Sequence, residues 1–165
     1  CPFRCQNFAT EMGASVSALR QCALAHQAQV RQAAACVQAS FGQVCATSPG
    51  QTVRRRFPQT LQIAAFREVN GMIARSGLTA QAAPFFQIGR RAAGCLTRCA
   101  DQNACVRRLK TCGLQLPPDN VIVATVKRCA LQAGFNTSVA REICGCVVRA
   151  GVRQLTNICS RIVIS

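Results

Sequence analysis

The sequence predicts an all-α protein, a disulfide-stapled bundle of about six to eight short helices, and three observations carry that prediction. Eight of the thirteen cysteines fall between Cys95 and Cys159. The apolar residues between them recur every three or four positions, the spacing of a helix face rather than the alternation of a strand. Each run closes on a glycine, the residue that most often ends a helix. Only the tail Arg161-Ile162-Val163-Ile164-Ser165, β-branched and apolar, reads otherwise, and it is too hydrophobic to stay in water without packing on its own domain or on a neighbour.

Taken in order, Cys1 and Cys5 stand four apart, so a helix would put both sulfurs on one face. From Val16 a stripe runs through Leu19, Ala23, His26, Val30, Ala33, Val37, Phe41 and Val44. It predicts one helix of about thirty residues, about 45 Å long, or two helices broken near Gln27. Residues 46–56 read as a loop, with a Ser48-Pro49-Gly50 turn followed by the basic run Arg54-Arg55-Arg56. Pro58 opens a helix that Ser76-Gly77 stops after Arg75, its face formed by Leu61, Ala65, Val69 and Met72 and widened by Phe66 and Ile73. Thr79 then caps a short turn, and Pro84 restarts a helix through Phe85, Ile88, Ala92, Leu96 and Cys99. Asp101 is placed as the N-cap of a helix over Cys105, Leu109 and Cys112, ended by Gly113. Pro117-Pro118 interrupts, and Asp119-Asn120 caps a helix from Val121 to Ala133 that Gly134 closes. The next begins at Thr137 or Ser138 and ends at Gly151, and a last segment reaches Cys159.

A chain of 165 residues makes one cysteine-rich helical domain over 1–165, or two small units over 1–45 and 95–165 joined by cysteine-free helices over 57–94. A faint echo favours the second division. Cys22-Ala23-Leu24 resembles Cys129-Ala130-Leu131, and Ala35-Cys36-Val37 resembles Gly145-Cys146-Val147. In an alanine- and cysteine-rich chain such matches also arise by chance.

Thirteen cysteines are about 8% of the chain, close to the level of a disulfide scaffold. With no Trp, no Tyr and an alanine-rich interior, covalent staples supplement a core that buries little area per residue. Disulfides persist in oxidising compartments, so the expected location is extracellular. A start at Cys1 rather than Met fits a mature secreted chain, and fits a chain cropped there equally well. No apolar run approaches a membrane span.

The framework is expected to draw on Cys5, Cys22, Cys36, Cys45, Cys95, Cys99, Cys105, Cys112, Cys129, Cys144, Cys146 and Cys159. An odd count leaves one sulfur over for another chain or for a free thiol. If the five cysteines before residue 46 and the eight after residue 90 each pair among themselves, the leftover lies in the first half, with Cys1 as the candidate.

Chemistry finds little support. Structural zinc wants two close ligand pairs, and Cys95-x3-Cys99 with Cys144-x-Cys146 lacks a nearby histidine, since His26 is the only one. His26 follows Cys22 by four residues, yet no carboxylate stands near to orient it as a base. The five acidic residues are scattered, and no phosphate loop or serine elbow occurs. No enzyme, metal or cofactor is therefore expected. Asn136-Thr137-Ser138 matches a glycosylation acceptor at a helix start.

A net charge of +15, carried almost wholly by arginine, suits an anionic partner, with Arg54, Arg55, Arg56, Arg90, Arg91, Arg107 and Arg108 as candidate contacts. Sulfated or uronic polysaccharide fits better than nucleic acid, because no Tyr or Trp is present to stack on bases. Two functions follow. The first, preferred for the odd cysteine and the apolar tail, is a secreted, non-enzymatic structural or matrix protein that self-associates into oligomers or filaments. The second is a monomeric cationic protein of binding or host defence, acting on glycosaminoglycan, nucleic acid or anionic membrane.

Overall fold

The computed structural model describes residues 5–42, 53, 57–101 and 115–164. Seven α-helices run through the described residues: α1 Asn7–Glu11, α2 Val16–Ala25, α3 Gln27–Phe41, α4 Pro58–Arg75, α5 Thr79–Asp101, α6 Asp119–Gln132 and α7 Thr137–Arg149, followed by two 3₁₀ turns at Arg153–Leu155 and Cys159–Arg161. The described residues contain no strand, and the all-helical, disulfide-stapled class holds.

Several start and stop signals act where the sequence places them, although α6 starts at Asp119, with Pro118 in the cap position, rather than at Val121. Pro58 opens α4, Ser15 caps α2 with its hydroxyl accepting from Ala18 N–H at 3.4 Å, and Asn136 caps α7 with its side-chain oxygen accepting from Val139 N–H at 3.1 Å. Four helices end in one hydrogen-bonded form, in which the glycine N–H reaches back three residues and the next N–H reaches back five. At the end of α4, Gly77 bonds to Ala74 O and Leu78 to Ile73 O; at the end of α7, Gly151 bonds to Val148 O and Val152 to Val147 O. Gly13 with Ala14 and Gly134 with Phe135 close α1 and α6 in the same way.

These closures build the core. Nine described apolar residues are buried. Ala14, Leu78 and Val152 directly follow terminal glycines, Ala133 and Ala150 directly precede them, and Cys22, Cys129 and Cys144 are disulfide-bonded. Ile122 alone is an aliphatic side chain within a helix. Leu78→Ala is expected to cost about 2–5 kcal/mol, read as a shift in the urea midpoint, because Leu78 is 1% exposed at the junction of α4 and α5.

Four disulfides join described residues: Cys5–Cys95, Cys22–Cys146, Cys36–Cys129 and Cys144–Cys159. Cys99 is disulfide-bonded as well. Three of the four cross from the first half of the chain to the second, so the expectation that each half pairs internally is wrong. The reason is topological: α2 packs on α7 and α3 on α6, which brings distant sulfurs opposite one another. The pairing is also crosswise. The first cysteine of each echoed segment bonds to the second cysteine of the other, as two face-to-face helix pairs related by a two-fold turn would require. Cys1, Cys45, Cys105 and Cys112, and the helix expected over Cys105–Cys112, lie outside the described residues.

Three local expectations are resolved. The stripe from Val16 forms two helices broken at His26, beside the break expected near Gln27, rather than one helix of about thirty residues. The break resets the helical phase, so Ala23 and Val30 face solvent while Cys22 and His26 are buried. Second, α5 runs straight through Pro84 from Thr79 to Asp101. A proline at the sixth helical position removes a single bond, to Ala80, and the helix outlasts that loss. Asp101 is the last residue of α5, and the helix it was expected to cap lies outside the described residues. Third, the apolar tail lies on its own domain, one of the two alternatives expected, with Ile162 and Ile164 partly buried and Val163 exposed. Ser76 hydroxyl accepts from Val163 N–H at 3.1 Å, Thr137 hydroxyl accepts from Ile164 N–H at 2.9 Å, and Arg141 donates to Ile162 O at 3.0 Å.

Candidate functional site: the recess between α4, α5 and α7

Three helices turn apolar faces toward a common space. From α4 come Phe66, Val69 and Ile73, and from α5 come Ala82, Phe85, Phe86 and Gly89. From α7 come Ala140, Ile143, Cys144 and Val147, each set following the three-and-four step of a single helix face. Leu78 sits between α4 and α5, while Leu155, Ile158 and Ile162 close the far side. Cys144–Cys159 pins that side to α7. The recess is open to solvent on one side, and its volume is about 370 Å³, within the range of small-molecule sites.

At one end the lining gains polar side chains. Ile73, Ala82 and Phe86 are shared with an adjoining hollow of about 180 Å³ whose other walls are Asn70, Thr79, Ala83, Gln87 and Arg90. The Arg90 guanidinium lies 5.7 Å from the centre of the Phe66 ring, and Phe66 meets Phe86 edge-on at 5.9 Å. Among the described residues no carboxylate pairs with Arg90. Gly89 also borders the recess, and a side chain placed there would meet no atom within 4 Å at its first carbon.

Arg91, one step along α5, points elsewhere. It pairs with Glu11 on α1 and lies 5.8 Å from the centre of the Phe8 ring, reinforcing the tie made by Cys5–Cys95. With Arg91 and Glu11 both about half exposed, that pair contributes little, roughly 0–1 kcal/mol. The two predicted anion contacts on α5 therefore do different jobs. Arg54, Arg55, Arg56, Arg107 and Arg108 lie outside the described residues.

The candidate chemical groups are engaged in structure. Cys22 is bonded to Cys146, which leaves His26 without a thiol partner. The buried His26 ring instead makes a 2.7 Å hydrogen bond with Gln29 and lies 6.4 Å from Phe135. The sulfurs of both cysteine pairs weighed as zinc ligands are in disulfides. Among the described residues no group of three or more His, Cys, Asp or Glu side chains is placed to hold a metal ion, and no helix is long and apolar enough to cross a membrane.

Sequence reasoning found the apolar face of α4 and the strongest residues of α5, yet treated them as core alone. It missed Gly89, whose missing side chain keeps the recess open, and the recess-facing stripe of α7. The stripe was visible as Ala140, Ile143, Cys144 and Val147 at helical spacing. Comparison with protein-family models, with curated proteins and with solved structures finds no match to this chain.

Proposed function

We propose that this is a secreted, non-enzymatic binding protein that presents a cationic, disulfide-locked surface to anionic partners, sulfated or uronic polysaccharide foremost. The observation that carries this reading is the charge balance of the folded chain. Only five carboxylates are present, and two of them, Glu11 and Glu68, are already held by Arg91, Lys127 and Arg75. The surplus of +15 is left for partners in solution. Covalent links between the halves of the chain support a preformed surface, which loses little entropy on binding. Commitment of Cys22 to a disulfide supports the absence of a nucleophile beside His26.

Self-association is the second reading, and the odd cysteine count favours it. Its other support, the apolar tail, is weakened because Ile162 and Ile164 are partly buried on the chain itself, which leaves Val163 as the exposed apolar side chain of the tail. One experiment separates the two. The oxidised protein is expected to elute from heparin only at salt well above physiological strength and to sediment as a single monomeric species. A concentration-dependent series of larger species, with a dimer band on non-reducing gels that Cys1→Ser abolishes, would overturn the first reading in favour of the second.

A glycan on Asn136 belongs to the same proposal. The residue is exposed, and its capping bond uses the side-chain oxygen, leaving the amide nitrogen for the sugar. In protein from a secreting eukaryotic host, Asn136→Asp is expected to lose the glycan mass and keep the cap, with stability within about 0.5 kcal/mol, whereas Asn136→Ala loses both the glycan and about 1 kcal/mol. Equal masses for parent and Asn136→Asp would remove the glycan from the proposal.

A further inference from the structure

The recess between α4, α5 and α7 calls for an occupant that no polyanion can supply, because its walls are apolar side chains from end to end. Water inside such a space has few partners for its hydrogen bonds. We infer that the recess binds the tail of a single-chain amphiphile with an anionic head, a fatty acid or related acyl anion, and that Arg90 holds the head. This goes beyond the surface reading and does not depend on it.

Size argues for one chain. At about 370 Å³ the recess lies near the lower end of small-molecule sites, a scale that suits one acyl tail better than the two of a phospholipid. Charge argues for the head. The hollow that continues the recess past Ile73, Ala82 and Phe86 adds Asn70, Thr79, Gln87 and the Arg90 guanidinium to a mainly apolar lining, and a carboxylate is the group that a two-pronged arginine takes best. The Arg90 guanidinium lies beside Phe66, one of the walls of the recess, which places a cation at its rim.

The test uses the full-length, disulfide-bonded protein and a fluorescent fatty acid displaced by dodecanoate or dodecanol. Dodecanoate is expected to displace the probe with one molecule bound per chain and to bind roughly tenfold more tightly than dodecanol, the difference a charged hydrogen bond makes. Gly89→Leu sets its first side-chain carbon where no atom lies within 4 Å and replaces a poor helix former, so this variant is expected to fold at least as stably as the parent. It should weaken dodecanoate by tenfold or more while its elution from heparin stays unchanged. Arg90→Gln should bring dodecanoate to within about threefold of dodecanol. Absence of saturable binding in the folded parent, or a Gly89→Leu variant that binds as tightly as the parent, would overturn the site. A preference for the acid that survives Arg90→Gln would reject the assignment of the head. Loss of heparin binding with dodecanoate binding intact would reject the surface reading and leave the recess standing.

Discussion

Removing both sulfurs of Cys22–Cys146 is expected to lower stability by about 3–5 kcal/mol, read as the guanidinium midpoint of Cys22→Ala/Cys146→Ala under oxidising conditions. The bond spans 124 residues of sequence, but Cys36–Cys129 lies inside it and already joins the middle of the chain. The cycle that Cys22–Cys146 alone closes is therefore about thirty residues, and chain entropy scales with that shorter length. Two further costs add to the entropic one. Cys22 is 6% exposed, so the substitution leaves a cavity where α2 meets α7. Few aliphatic side chains within the described helices are buried to hold that contact in its place. Cys144→Ala/Cys159→Ala, which opens a 15-residue span within one region, is expected to cost less, about 3 kcal/mol. Non-reducing peptide mapping gives an independent check. A peptide containing Cys22 linked to one containing Cys146 is the expected product, and links confined to each half of the sequence would reject the crosswise arrangement.

How much of this was legible beforehand depends on how local each signal is. Pro58 and Gly77 bracket α4 within the chain itself, and Asn136 with Gly151 brackets α7, so those helices could be read within a residue or two. Burial was less legible. Counting in threes and fours from Val16 assumes one unbroken helix, and the break at His26 turns Ala23 and Val30 outward. Pro84 was read as a boundary because proline removes a hydrogen bond, but early in a 23-residue helix the remaining bonds outweigh that loss. Disulfide partners were beyond reach, since which sulfurs meet is decided by how α2, α3, α6 and α7 pack. The recess is a property of three helices at once. Gly89, which keeps it open, looks in the sequence like a mild defect of α5.

Gly151→Ala is the second large expected effect, a loss of about 3–5 kcal/mol in the same unfolding assay. Gly151 has φ +123°, a conformation that L side chains rarely adopt, and forcing alanine into it costs about 1–3 kcal/mol. Crowding adds a comparable amount. The ending of α7 lies back to back with the ending of α1, where Ser15 N–H donates to Ala150 O at 2.7 Å. A methyl on Gly151 would run into the carbonyl oxygen of Gly13 and stand 3.2 Å from Cα of Ala14, and both obstacles are backbone, which cannot swing aside. The turn also leads directly into Val152, fully buried, so any shift that relieves the clash moves part of the core. Gly94→Ala supplies the contrast. It adds the same methyl within α5, where nothing lies within 4 Å of it, and is expected to raise stability by up to about 1 kcal/mol. Opposite signs for one methyl at two glycines would follow from the meeting of two helix endings; equal small effects would mean that Gly13 and Gly151 do not touch in solution.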